Sequence, residues 1–272
     1  MINVPHIDKH IWNAEYRALE IISELQRTGS AVIAIDNEGS DLAELGLYQL
    51  LDGICSTFGF NKSSILIQTR NQLESHSEYK IQKFSPMHLL TPCHDFVKRT
   101  TIADKQLDDI KHFGIFISRS NWQRLMLSSY LYKNYKPTTI QTYHYDSNSD
   151  YHKSHLSFDT LAHLIGLANA ADLTKELFAS LPITNDTIDS YPIVTKDYLN
   201  ISKLYKHFFV EIVCETFSEG KTFFPTEKIW RPIMCKTPFI VQGPVNYLHN
   251  LKQLGFKHSA GGGMKAMMRM AA

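Results

Sequence analysis

The stretch from Phe208 to Gly243 constrains the fold most, because its hydrophobic pattern switches from strand-like to helix-like and back. An apolar run from Phe208 to Cys214 reads as a buried strand and ends on a carboxylate, Glu215. A polar, glycine-containing loop follows. Thr226-Glu227-Lys228 then opens an amphipathic segment that closes on a second apolar run, Pro238 to Val241. Strand, loop, helix, strand in that order belongs to a parallel α/β sheet. Thr226 can cap the helix with its hydroxyl, which sets the positive end of the helix dipole beside Lys228. A helix start with a lysine in its first turn suits an anion such as a diphosphate, and Glu215 at a strand end can accept hydrogen bonds from ribose or sugar hydroxyls. Both features have plainer readings, since Thr-x-Lys opens many helices and a glutamate after a strand is often a solvated loop residue.

The same alternation runs through the rest of the chain. Ala14 to Gln26 places Leu19, Ile22 and Leu25 at helical spacing, with Gly29 as its stop. Ala31 to Ile35 predicts a strand, Asp41 to Phe58 a helix and Ser64 to Thr69 another strand. Asp36 and Glu38 follow the first of these strands, either at a ligand-side sheet edge or in a turn that caps the next helix. From Glu74 to Gln106 no period holds. Long aperiodic loops in compact domains are often functional, and the adjacent pair His94 and Asp95 offers a base and its orienting partner for an acceptor hydroxyl.

Phe113 to Ser118 predicts a strand, Asn121 to Tyr132 a helix and Thr138 to Thr142 a strand. The junction reads Arg119-Ser120-Asn121-Trp122-Gln123-Arg124, with Ser120 or Asn121 as the helix cap. Either Arg119 or Arg124 can meet diphosphate oxygens with a bidentate guanidinium, or form a structural ion pair. Asp146, Asp150 and His144 follow without a D-x-D at a strand end, so no metal site is expected there. Phe158 to Leu167 and Asp172 to Leu181 predict helices, Asn185 to Asn200 a turn-rich connection, and Asn246 to Leu254 a helix stopped by Gly255.

The pattern Glu-Thr, Thr-Glu-Lys-Ile-Trp, Pro-Phe-Ile-Val resembles the donor-binding half of GT-B glycosyltransferases, most nearly the α1,3-fucosyltransferase-type family with its exostosin-like donor domain. In that family the equivalents of Glu215, Glu227 and Lys228 contact the nucleotide sugar. Ser120-Asn121 through Arg124 is similar to its Ser-Asn-x-x-x-Arg neighbourhood, where an arginine neutralises donor phosphate; here the arginine comes one residue earlier. The loop from Phe217 to Pro225 departs from the family's, which leaves base and sugar open. The resemblance covers Phe113 to Tyr132 and Phe208 to Phe256 and implies inverting transfer.

Near-balanced charge, 28 basic against 27 acidic residues, gives no whole-chain attraction for nucleic acid or membrane. Cys55, Cys93, Cys214 and Cys235 show no C-x-x-C spacing and are expected as reduced thiols. The first residues carry charges where a signal peptide needs an apolar stretch, and no run of apolar residues is long enough to span a bilayer. A cytoplasmic protein is expected.

The tail from His258 breaks the pattern: Gly261 to Gly263 precede Met264, Met267, Met268 and Met270. One synonymous codon choice, given an extra adenine after Lys257, turns it into Thr-Phe-Ser-Arg-Trp-Trp-Asp-Glu-Gly-Tyr-Asp-Glu-Asn-Gly. A one-base slip that costs the native C-terminus is therefore expected.

The expected architecture is two Rossmann-like, GT-B-like lobes with parallel sheets: residues 1–110 on the acceptor side, 111–257 binding the donor and truncated, and 258–272 aberrant. The expected function is metal-independent transfer of a sugar from a nucleoside diphosphate sugar, as substrate rather than cofactor, to an unidentified glycan, protein or nucleic-acid acceptor. Donor contacts fall to Arg124, Arg119, Glu215, Thr226, Glu227 and Lys228. The rival readings are a non-catalytic nucleotide-sugar or partner-binding protein and a viral-type nucleic-acid glycosyltransferase.

Overall fold

A computed structural model of the chain describes residues 2–5, 14–36, 39–84, 110–118, 120–145, 154–184, 204–216, 218, 220–258 and 268–270. Its two four-stranded sheets are parallel and alternate with helices, an α/β architecture consistent with a Rossmann-like fold. The chain divides into two compact units. One comprises Met1–Leu89, Glu215–Thr226 and Gly243–Leu254, the other Leu90–Cys214, Glu227–Gln242 and Gly255–Ala272.

The first unit holds strands β1 (Ile2–Pro5), β2 (Ala31–Asp36), β3 (Ile65–Thr69) and β4 (Lys80–Lys83), all parallel and in that order across the sheet. Helix α1 (Ala14–Thr28) precedes β2 and α2 (Leu47–Phe58) precedes β3. Ile21, Leu25, Leu47, Leu51 and Ile54 pack from the helices against Ile33, Ile35, Ile65 and Ile67 of the sheet. Burying each such side chain is worth about 1.5–3 kcal/mol, so this layer supplies the unit's cohesion.

Helix α2 begins later than the apolar spacing predicts. The Asp41 carboxylate accepts from the amides of Ala43 and Glu44, and Gly46 adopts φ 75°, so turns occupy the segment before Leu47. Strand β4 carries no apolar run that announces it: Lys80–Lys83 has a single apolar residue, Ile81, as befits an edge strand guarded by charge.

The second unit holds β5 (Lys111–Ile117), β6 (Thr139–Tyr143), β7 (Phe208–Cys214) and β8 (Phe239–Gln242), again all parallel but in the order β6-β5-β7-β8. Helix α3 (Trp122–Tyr135) joins β5 to β6. Helices α4 (Ser154–Ile165) and α5 (Leu167–Phe178) follow β6, broken at Gly166 with φ 88°. Helix α6 (Glu227–Met234) joins β7 to β8. One apolar cluster sets Leu125, Leu131, Leu161 and Leu177 of α3 to α5 with Ile115, Ile117 and Ile212; a second gathers Phe116, Leu204, Tyr205, Phe208 and Cys235.

Helix α7 (Tyr247–Gln253) belongs to the first unit, while β9 (Phe256–His258) and β10 (Met268–Met270) form an antiparallel pair in the second. Tail residues 259–267, most of the aperiodic segment up to 106, and the connection at 185–200 lie outside the described residues. Among the described residues no helix is long and apolar enough to cross a membrane.

Candidate functional site

In the second sheet the chain leaves β5 for β6 on one side, then returns to place β7 on the other. The strand order therefore reverses between β5 and β7. Neighbouring connections diverge at such a point, opening a crevice at the carboxyl ends of the strands, where open α/β sheets bind ligands.

The junction after β5 is tightly specified. Asn121, not Ser120, caps α3: its side-chain oxygen accepts from the Arg124 amide at 2.8 Å. The Ser120 hydroxyl instead meets the Tyr143 phenol at the end of β6, 2.5 Å away. Burial pushes that phenol's pKa above its ordinary value, so it stays protonated. The Arg124 guanidinium is buried and donates to the Cys214 carbonyl at 3.0 Å. One cation thus ties the start of α3 to the last residue of β7, on both flanks of the reversal.

Past β7, the first residues of α6 carry the second charged group. Lys228 Nζ stands 3.1 Å from the Glu227 carboxylate, and neither side chain is fully exposed. Burial would raise the Glu227 carboxyl, but Lys228 and then Arg231 outweigh it and hold it below the usual carboxylate range. A charged carboxylate and a lysine therefore share the first turn of α6.

Glu215 and Thr226 belong to the first unit. The Glu215 carboxylate is buried and accepts the Thr226 hydroxyl at 2.6 Å, the Thr226 amide at 3.4 Å and the Tyr247 hydroxyl. The carboxylate expected to accept ribose or sugar hydroxyls is here engaged by the hydroxyls of Thr226 and Tyr247 of its own chain. The two bonds from Thr226 tie the end of the 215–226 segment back to its start, and the third fastens that start to Tyr247.

Asn71, fully buried after β3, fixes the segment's middle: its amide nitrogen donates to the Lys221 carbonyl at 2.9 Å and its oxygen accepts from the Phe223 amide at 3.0 Å. The Thr222 hydroxyl donates to the Gly39 carbonyl. Spacing alone gave no signal for Asn71 or Tyr247, because their partners stand far away in sequence.

His94, Asp95, Arg119, Glu38, Asp146 and Asp150 lie outside the described residues. Among the described residues no group of three or more His, Cys, Asp or Glu side chains is disposed to hold a metal ion. No protein-family profile, curated protein or solved structure matches this chain.

Proposed function

We propose that the chain is a GT-B-like glycosyltransferase that moves a sugar from a nucleoside diphosphate donor to an acceptor hydroxyl. The observation that carries this reading is the strand reversal between β5 and β7: the two segments that resemble the α1,3-fucosyltransferase-type family, 120–124 and 226–228, follow those two strands. Segments that follow strands on either side of a reversal are where open α/β sheets bind ligands, which supports this reading. In this reading the two units are the two lobes of a GT-B enzyme, which the parallel sheet in each supports.

In the proposed reaction the bond between the anomeric carbon and the diphosphate oxygen breaks, and the electron pair leaves with the nucleoside diphosphate. The acceptor oxygen bonds to the anomeric carbon from the opposite face and gives its proton to a base, for which His94 and Asp95 are the candidates. Arg124, Lys228 and the start of α6 supply positive charge toward the departing diphosphate, with Arg119 a further candidate cation. Glu227, held charged, accepts from sugar or ribose hydroxyls; the bonds Glu215 makes to Thr226 and Tyr247 fix the ends of the 215–226 segment within the first unit.

Melting temperatures of the chain with GDP, UDP, CDP, ADP and dTDP, alongside Lys228→Ala, test this. A ligand that binds the native state at about 100 times its Kd adds about 2.7 kcal/mol of stability. A rise with one nucleotide, lost in the variant, is the expected result and names the base. A cooperative melt that no nucleotide moves contradicts the proposal. Binding without release of nucleoside diphosphate from any nucleotide sugar favours a non-catalytic binding protein, and salt-dependent affinity for duplex DNA favours a nucleic-acid glycosyltransferase.

A further inference from the structure

A carboxylate sits in the middle of β7: Glu211 is fully buried between Val210 and Ile212. A charge there is tolerated only with close partners. Tyr205, itself buried, donates its hydroxyl to one carboxylate oxygen, and the guanidinium of Arg231 stands 3.2 Å from the other. Arg231 also lies over the Phe116 ring, 5.8 Å from its centroid, so its plane is packed as well as paired.

Arg231 belongs to α6, four residues after Glu227, the spacing at which a glutamate and a following arginine face each other on a helix. Its neighbour Pro232 lacks the amide that would close the helical turn on the Lys228 carbonyl. The backbone therefore holds the start of this short helix weakly, and side chains must do the rest.

We propose that Arg231, clamped by Glu211 and Tyr205, is a positioning residue that holds the Glu227 carboxylate, and through it Lys228, in the geometry that receives a diphosphate. The ligand half of this statement rests on the glycosyltransferase reading; the network half does not. Glu211 and Arg231 are buried and Glu227 and Lys228 partly so; disturbance at Tyr205 reaches Lys228 through Glu211, Arg231 and, at the i,i+4 spacing of the helix, Glu227. The depressed Glu227 carboxyl, to which Arg231 contributes, agrees with that line.

Tyr205→Phe tests it, since the substitution removes one hydroxyl and no charge. In the full chain labelled with ¹³C at glutamate carboxyls, the Glu227 resonance is identified by its loss in Glu227→Gln and followed with pH. Glu211 deprived of one donor draws Arg231 more strongly, so the Glu227 midpoint is expected to rise toward the ordinary carboxylate value. Affinity for whichever nucleoside diphosphate raises the melting temperature is expected to fall about fivefold, the coupling typical of one network.

A folded Tyr205→Phe protein with an unmoved Glu227 midpoint overturns the network. A moved midpoint with unchanged nucleotide affinity overturns its link to the ligand, whereas a wild-type chain that binds no nucleotide overturns the glycosyltransferase reading instead. If the variant does not fold, the wild-type Arg231 guanidinium decides: separate, non-averaging Nη signals are expected, and a single averaged signal overturns the clamp.

Discussion

Gly39 stands where a side chain has no room. Its φ of +81° is a conformation that disfavours L side chains, and an added Cβ would fall 2.5 Å from the Cβ of Phe224. Gly29 shares the first property and lacks the second: its φ is +72°, and nothing lies within 4 Å of an added Cβ. Gly29→Ala is therefore expected to cost about 1 kcal/mol for backbone strain alone, and Gly39→Ala about 1–3 kcal/mol more for the clash. Thermal denaturation checks this: equal losses for the two variants would mean that the 215–226 segment does not press on Gly39.

At the residue scale the sequence gives away chemistry better than partnership. Glu215, Thr226 and Lys228 stand out by type and spacing. Asn71, which accepts from Phe223 and donates to Lys221, does not, because no local period records a contact across some 150 positions.

Among the elements, β7 was legible to the residue, because seven consecutive positions from Phe208 to Cys214 end sharply at charge. Helix α2 and strand β4 were not: glycine geometry at Gly46 cut the first short, and an edge strand guarded by lysines concealed the second. Glu211 also escaped the apolar reading of β7, since a lone acid within a hydrophobic run looks tolerable until its partners Tyr205 and Arg231 are seen.

Helix α6 carries a pH consequence. The Glu227 carboxyl titrates below its unfolded value, so it contributes stability that is fully present above the ordinary carboxylate pKa and is lost as pH falls through the folded value. The stability gap between wild type and Glu227→Gln is therefore expected to narrow on acidification below about pH 4.3. Denaturant midpoints at stepped pH measure it. A gap that stays constant or widens would show that Lys228 and Arg231 do not hold this carboxyl charged.

For the whole molecule, alternating helices and short apolar runs announce parallel sheets, and both four-stranded sheets are parallel throughout. Strand order is another matter. The first sheet runs in chain order and the second reverses between β5 and β7, a difference set by which side each crossover takes and written in no single segment. The reversal gives the two charged junctions a common edge, the edge proposed to hold a diphosphate.

Amide chemical-shift mapping with the nucleoside diphosphate that raises the melting temperature tests whether this edge takes the diphosphate. Perturbations concentrated at residues 118–125 and 227–230, and lost together in Lys228→Ala, are expected. Perturbations confined to the first sheet, or scattered over both units without these segments, would contradict it.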